Sequence, residues 1–193
     1  MHISLDSALG QQRRLNSVGE TISSIAAPAA AYSLRSLTGG DPKVVRVRRE
    51  SDNTERDFTA SGVSSGALVD FVGSGNDGFV ETWYDQSGNG NDVAQTTSTK
   101  QPRVVIDGSL VVRSTKPSID FGGNDLLERE TYTQGTLVQP NTFFSVAELD
   151  AYADENRKVY DSHLSTARNM LQLNTVGNGQ FAHYAGTVRA TGE

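Results

Sequence analysis

The chain has 193 residues, a formal net charge of −6 and a pI of about 5.1, a balance that disfavours a nucleic-acid groove or an anionic membrane surface as its main partner. Cysteine is absent, which excludes disulfides and thiolate metal sites and fits assembly in a reducing cytoplasm. Hydrophobic residues, at 36%, are enough for a core, and 19 glycines favour tight turns and short strands over long helices.

Residues 1–28 read as an N-terminal anchor or oligomerisation segment, ahead of a β-sandwich domain over 29–193 that is expected to be short of strands at its C-terminus for a complete sandwich. Leu15, Val18, Ile22 and Ile25 fall on heptad a/d spacing. Gly10 and Gly19 weaken a continuous helix, and Pro28 interrupts it. The pattern fits a short docking or oligomerising helix, or equally an arm lying on its own domain. The opening residues lack the basic-then-apolar order of a secretory signal, and no apolar run approaches membrane-spanning length.

The stretch AAAYSLRSL (29–37) predicts a helix with Ala30, Ala31, Leu34 and Leu37 on one face, ended by Gly39-Gly40. From Asp41 the period becomes two. In KVVRVRR, Val45 and Val47 alternate with Arg46 and Arg48, a strand with one apolar and one charged face. SDNTERD (51–57) reads as a turn, and Leu68, Phe71 and Val72 mark a short helix. FVETWYD is a strand placing Phe79, Glu81, Trp83 and Asp85 on one side and Val80, Thr82 and Tyr84 on the other.

Further strands are expected at 103–106, 110–112, 117–121, 142–149, 158–162, 170–174 and 180–186. Asp107-Gly108 between apolar runs signals a hairpin. TFFSVAEL (142–149) is the most apolar run and is assigned to a central strand. The fold class is all-β, a concanavalin-like jelly-roll sandwich with a short helical N-terminal segment. Its expected core comprises Val45, Val47, Trp83, Val104, Ile106, Ile119, Phe121, Phe143, Val146 and Leu149.

Candidate chemistry is sparse. Gly73 to Gly78 matches GxGxxG, but a helix precedes it and a strand follows, the reverse of a dinucleotide site. Asp85, Ser87, Asn89 and Gly90 match the opening of an EF-hand loop, and Asp85, Ser87, Asn89 and Asp92 would be the oxygens of a weak calcium site. However, Thr96 stands where the bidentate glutamate belongs, and the competing reading is a turn bonded to its own backbone. His2, His163 and His183 form no metal spacing, and no G-x-S-x-G elbow is present. Asp85, Asp120, Asp161, Glu81 and Glu148 lie in expected strands, where a solvent-facing role competes with a glycosidase pair. Trp83 and Tyr184 are the aromatics read as glycan contacts, with Trp83 otherwise a core residue. No catalytic residue, cofactor or metal is assigned.

AYSLR (31–35), VRVRRESDNTERDF (45–58) and VETWYDQSGNGND (80–92) together resemble the catalytic domain of the arabinofuranosidase B type, a concanavalin-like sandwich acting on arabinose side chains. The resemblance spans about residues 29–92, and YDQSGNGN is its most specific marker. The catalytic acids of that family lie further along, so none is carried over. QPRVVIDG…KPSIDFGGNDLL (101–127) is similar to laminin-G and concanavalin-like modules of phage virion proteins. ISLDSALGQQRRLNSVGETISSIA resembles the leader of such proteins.

These resemblances imply a bacteriophage virion structural protein, a fibre or capsid decoration subunit assembled in the bacterial cytoplasm. Its implied partners are other capsid or tail proteins, further copies of itself and host-surface carbohydrate, with no nucleic acid and no membrane insertion. The alternative they imply is a glycoside hydrolase of arabinofuranosidase type, or an inactive remnant of one.

Overall fold

The computed structural model describes residues 28–133, 135, 142–148, 157–164, 167–174, 180–185 and 188–192. The docking residues Leu15, Val18, Ile22 and Ile25 therefore lie outside the described residues. The chain is β-rich and divides into two compact units, Met1–Gln139 and Pro140–Glu193.

In the first unit, β1 (Lys43–Arg49) and β2 (Glu55–Thr59) form a hairpin, followed by helices α1 (Ala60–Ser64) and α2 (Ala67–Val72). Then come β3 (Gly78–Trp83), β4 (Val93–Ala94), β5 (Arg103–Ile106) and β6 (Ser109–Leu110). These strands make one antiparallel sheet in the order β2-β1-β3-β5-β6, with β4 beside the end of β3. A separate hairpin joins β7 (Val112–Arg113) and β8 (Lys116–Pro117).

The two-faced pattern of β1 holds. Val45 and Val47 are fully buried, while Arg46 meets Glu55 and Asp57 of β2 at 3.2 and 3.7 Å. Sequence patterning takes SDNTERD for a turn throughout, yet β2 begins at Glu55, and Phe58 pairs with Val45 and enters the core. The tight turn is confined to the residues before it, where Arg49 and Thr54 both bond to the Asp52 carboxylate. Thr59 caps α1 by accepting from the Gly62 N–H. The two helices drop Val63, Leu68 and Val72 onto the sheet beside Val80, Val104 and Val105. Burying one such side chain contributes roughly 1.5–3 kcal/mol.

The alternation expected for β3 fails in its middle. Arg46 pairs with Thr82 but Val47 pairs with Val80, so Glu81 is an extra residue, a β-bulge. The bulge returns Trp83, opposite Val45, to the face of Val80 instead of the face of Phe79. Gly78 begins this strand fully enclosed. A Cβ there would lie 2.8 Å from Val72 Cγ2 and 3.1 Å from Val105 Cβ.

Asp107 and Gly108, with φ of 49° and 72°, form the expected two-residue turn between β5 and β6. That turn docks on the Gly73–Gly78 loop. Gly108 donates to the Asn76 carbonyl, and Asp107 N–H donates to Asp77. The GxGxxG spacing is thus a structural loop between α2 and β3. A second turn of the same type joins β7 to β8, but Ser114 and Thr115 occupy its left-handed positions, with φ of 47° and 67°. A β-branched residue there is strained.

In the second unit, β9 (Arg157–Leu164), β10 (Ala167–Asn174), β11 (Gln180–Ala185) and β12 (Val188–Gly192) form an antiparallel meander. The first three match expected strands. The last does not, since Val188-Arg-Ala-Thr carries too little apolar alternation to be seen alone.

Two further expectations are corrected. Residues 142–148 are not a central strand: they have no regular structure, and Phe143, Phe144 and Val146 are 50%, 90% and 105% exposed. A strand needs a ladder as well as apolar content, and among the described residues β9–β12 pair only with each other. Phe143 stacks on Tyr160 with centroids 4.4 Å apart. Of the expected core, Val45, Val47 and Val104 are fully buried, and Trp83 and Ile119 flank the core, whereas Ile106 is only half-buried. Phe121 is exposed because the chain turns beside it, with Gly122 and Asp125 bonded to each other. Leu149 lies outside the described residues.

Substitution Gly78→Ala is expected to destabilise the protein by about 1–3 kcal/mol through overpacking, read by urea denaturation. The double change Ser114→Asn with Thr115→Gly is expected to stabilise it by about 1 kcal/mol by relieving strain, read as a rise in Tm.

Candidate functional site

The loop DQSGNGND (85–92) leaves the end of β3 and holds two of the four buried polar side chains among the described residues, Gln86 and Asn91. Its centre is the Asp85 carboxylate. Oδ1 accepts from the N–H groups of Ala31 and Ser87 at 2.8 and 2.9 Å. Oδ2 accepts from Ser87 Oγ and the Asn91 N–H at 2.6 and 2.9 Å. A carboxylate has about four lone-pair sites, and here each is met by a donor. Asp85's own N–H donates to Asp92 Oδ1 at 2.8 Å, which closes the loop on itself.

The rest of the loop reaches outward to residues 28–37. The fully buried Asn91 donates from Nδ2 to the Ala29 carbonyl at 2.8 Å, and its Oδ1 accepts from the Thr133 N–H at 2.9 Å. Asn89 Nδ2 donates to the carbonyls of Pro28 and Ala29 at 2.9 and 3.1 Å. Gln86, also buried, donates from Nε2 to the carbonyls of Ser33 and Arg35 at 2.9 and 3.0 Å. Its Oε1 accepts from the Leu37 N–H at 2.8 Å, and its own N–H donates to the Ala31 carbonyl at 2.8 Å. Apart from the Pro28 carbonyl, the bonded backbone groups belong to residues 29, 31, 33, 35 and 37. That is the period of a strand edge, satisfied by side chains in place of a neighbouring strand.

Residues 29–37 are consequently not the expected helix. They form an irregular extended strap with bends at Leu34–Arg35. Alanine-rich composition favours a helix only when the backbone bonds inwardly; here the loop captures those groups first. Gly39 and Gly40 do take left-handed φ, 78° and 68°, but they end a strap. Ala31 and Leu34 are buried beneath it, and Tyr32 lies against Trp83 with ring centroids 5.6 Å apart. The Tyr32 hydroxyl donates to the Asn91 carbonyl, and burial pushes its pKa well above the ordinary range.

The calcium spacing is therefore filled by protein donors. Ser87 Oγ donates into Asp85, and Asn89 aims its amide nitrogen away at Pro28 and Ala29. Among the described residues no cluster of acidic and histidine side chains is arranged to hold a metal ion.

The other carboxylates are dispersed. Asp120 pairs with Arg103 at 3.0 Å, Asp161 pairs with Lys158 at 2.9 Å, and Glu81 accepts from Thr82 Oγ1. Glu148 is exposed in the irregular 142–148 segment. Tyr84 points away from the strap and donates to Asp57 at 2.8 Å; burial and that carboxylate push its pKa up to about 12. Trp83 is half-buried, and its indole N–H is enclosed without a partner among the described residues. Tyr184 and His183 lie on β11 in the second unit, so Trp83 and Tyr184 belong to different units.

Burial alone would raise the Asp85 carboxyl, but the bonds from Ser87, Asn91 and Ala31 outweigh it and hold the pKa below the ordinary value of 3.8. A depressed carboxylate stabilises the fold fully above its unfolded pKa and loses that contribution as pH falls through the folded value. Acidification below about pH 4 is thus expected to loosen the strap, seen as a change in fluorescence of Trp83, the sole tryptophan. Asp85→Ala, which leaves three backbone N–H groups unpaired, is expected to cost about 2–3 kcal/mol at neutral pH and to abolish that acid-dependent step.

Comparison with protein-family models, curated proteins and solved structures finds no match, so the case for this site rests on its own geometry.

Proposed function

We propose that the chain is a structural subunit of a bacteriophage virion, a fibre or capsid decoration protein. Its N-terminal segment docks onto capsid or tail proteins or sister copies. Its β-rich portion is a concanavalin-like jelly roll facing the host surface, where it meets glycans. The observation that carries this reading is the strap. Residues 28–37 follow directly on the docking segment, and the sheet grips them through Asp85, Gln86, Asn89 and Asn91. A grip at that junction passes any pull on residues 1–28 into the end of β3. The polar side chains of the loop that carries the family resemblance are committed to this grip, which favours a mechanical role for it over a chemical one.

Removal of residues 1–27, keeping Pro28 and the strap, is expected to leave a β-rich circular dichroism spectrum while abolishing incorporation into particles. Incorporation at the level of the full chain would refute the docking role.

A further inference from the structure

We propose that Asn89-Gly90 is a spontaneous deamidation site, held in check by the strap and able, once converted, to release it. The sequence feature is an asparagine followed by glycine, the pairing that leaves the next backbone nitrogen least hindered. Gly90 is exposed, with φ of 69°. In the reaction the Gly90 nitrogen bonds to Asn89 Cγ, the Cγ–Nδ2 bond breaks, and ammonia leaves with the proton lost from Gly90. Water then opens the cyclic imide at either carbonyl, giving aspartate or isoaspartate. No oxidant, reductant or cofactor is required.

Two features of the fold oppose the first step. Asn89 Nδ2 is held by the carbonyls of Pro28 and Ala29, and the Asn89 backbone is pinned at both ends. Its N–H donates to Ser87 Oγ at 3.2 Å, and its carbonyl accepts from Thr133 Oγ1 at 2.9 Å. The imide cannot close until these bonds open, so the rate reports how often the strap frays. The product reverses the contact: a carboxylate, with no donor to offer, then faces two carbonyl oxygens. Isoaspartate additionally lengthens the loop backbone by one carbon. Either change opposes re-closure, which makes the site a one-way latch on the strap, whatever the strap serves.

The test is incubation of the full chain at mildly alkaline pH, with peptide mass mapping and amide hydrogen exchange. Asn178-Gly179 supplies a second pair of the same type in the same chain. Asp85→Asn, or the milder Ser87→Ala, is expected to speed conversion at Asn89 roughly tenfold, the equivalent of one lost hydrogen bond, without changing the rate at Asn178. Converted protein and the Asn89→Asp variant are both expected to show roughly tenfold faster exchange at the amides of Ala31 and Leu37. Conversion at Asn89 that is undetectable in all three chains, or that proceeds equally fast in all three, would overturn the proposal. So would conversion that leaves exchange at Ala31 and Leu37 unchanged.

Discussion

The attachment of residues 28–37 to the first unit depends on one carboxylate with every lone pair occupied. Asp85 accepts two hydrogen bonds on each oxygen, three from backbone N–H groups and one from Ser87 Oγ. Charge-assisted bonds of this kind are about twice as strong as neutral ones, and they act at the place where the chain leaves β3 and must turn back. With Asp85 fixed, the loop holds Gln86, Asn89 and Asn91 in the order needed to meet the strap. The strap in turn covers Trp83 with Tyr32 and buries Leu34. The sheet beneath is held by its own ladder and apolar core, so the clamp governs the attachment of one edge more than the existence of the fold.

How much of this is legible in the sequence depends on where each instruction resides. The two-faced strand at Val45–Arg48, the Asp107-Gly108 hairpin and the helix bearing Leu68 and Val72 are local patterns, and each forms where its pattern lies. The bulge at Glu81 is invisible to period-two counting, because it exists only as a register shift against β1. Ala29–Leu37 carries helical spacing, but its partners lie some fifty to sixty residues later, and no local rule weighs a glutamine side chain against a helix. Residues 142–148 err the other way: strong strand propensity with no ladder partner among the described residues.

The site divides in the same manner. That the Asp, Ser and Asn residues of the loop bond to their own backbone follows from their side-chain chemistry, and the Asp85–Ser87 and Ser87–Asn89 contacts agree. The outward half of the arrangement, from Gln86, Asn89 and Asn91 to the strap, has no signature of its own. Its only trace is an unusual density of amides near a strand end. A buried glutamine with both ends of its amide satisfied by backbone is a strand mimic.

Attachment by side chains has an evolutionary corollary. The strap contributes mainly backbone carbonyls, which every residue type supplies, and N–H groups, which only proline lacks, so its letters can drift outside Ala31, Tyr32 and Leu34, whose side chains are used. The loop contributes particular functional groups at fixed reach, so its letters cannot. Divergent versions of this chain should therefore keep the loop spelled almost unchanged while the segment it grips varies more freely between its few fixed positions.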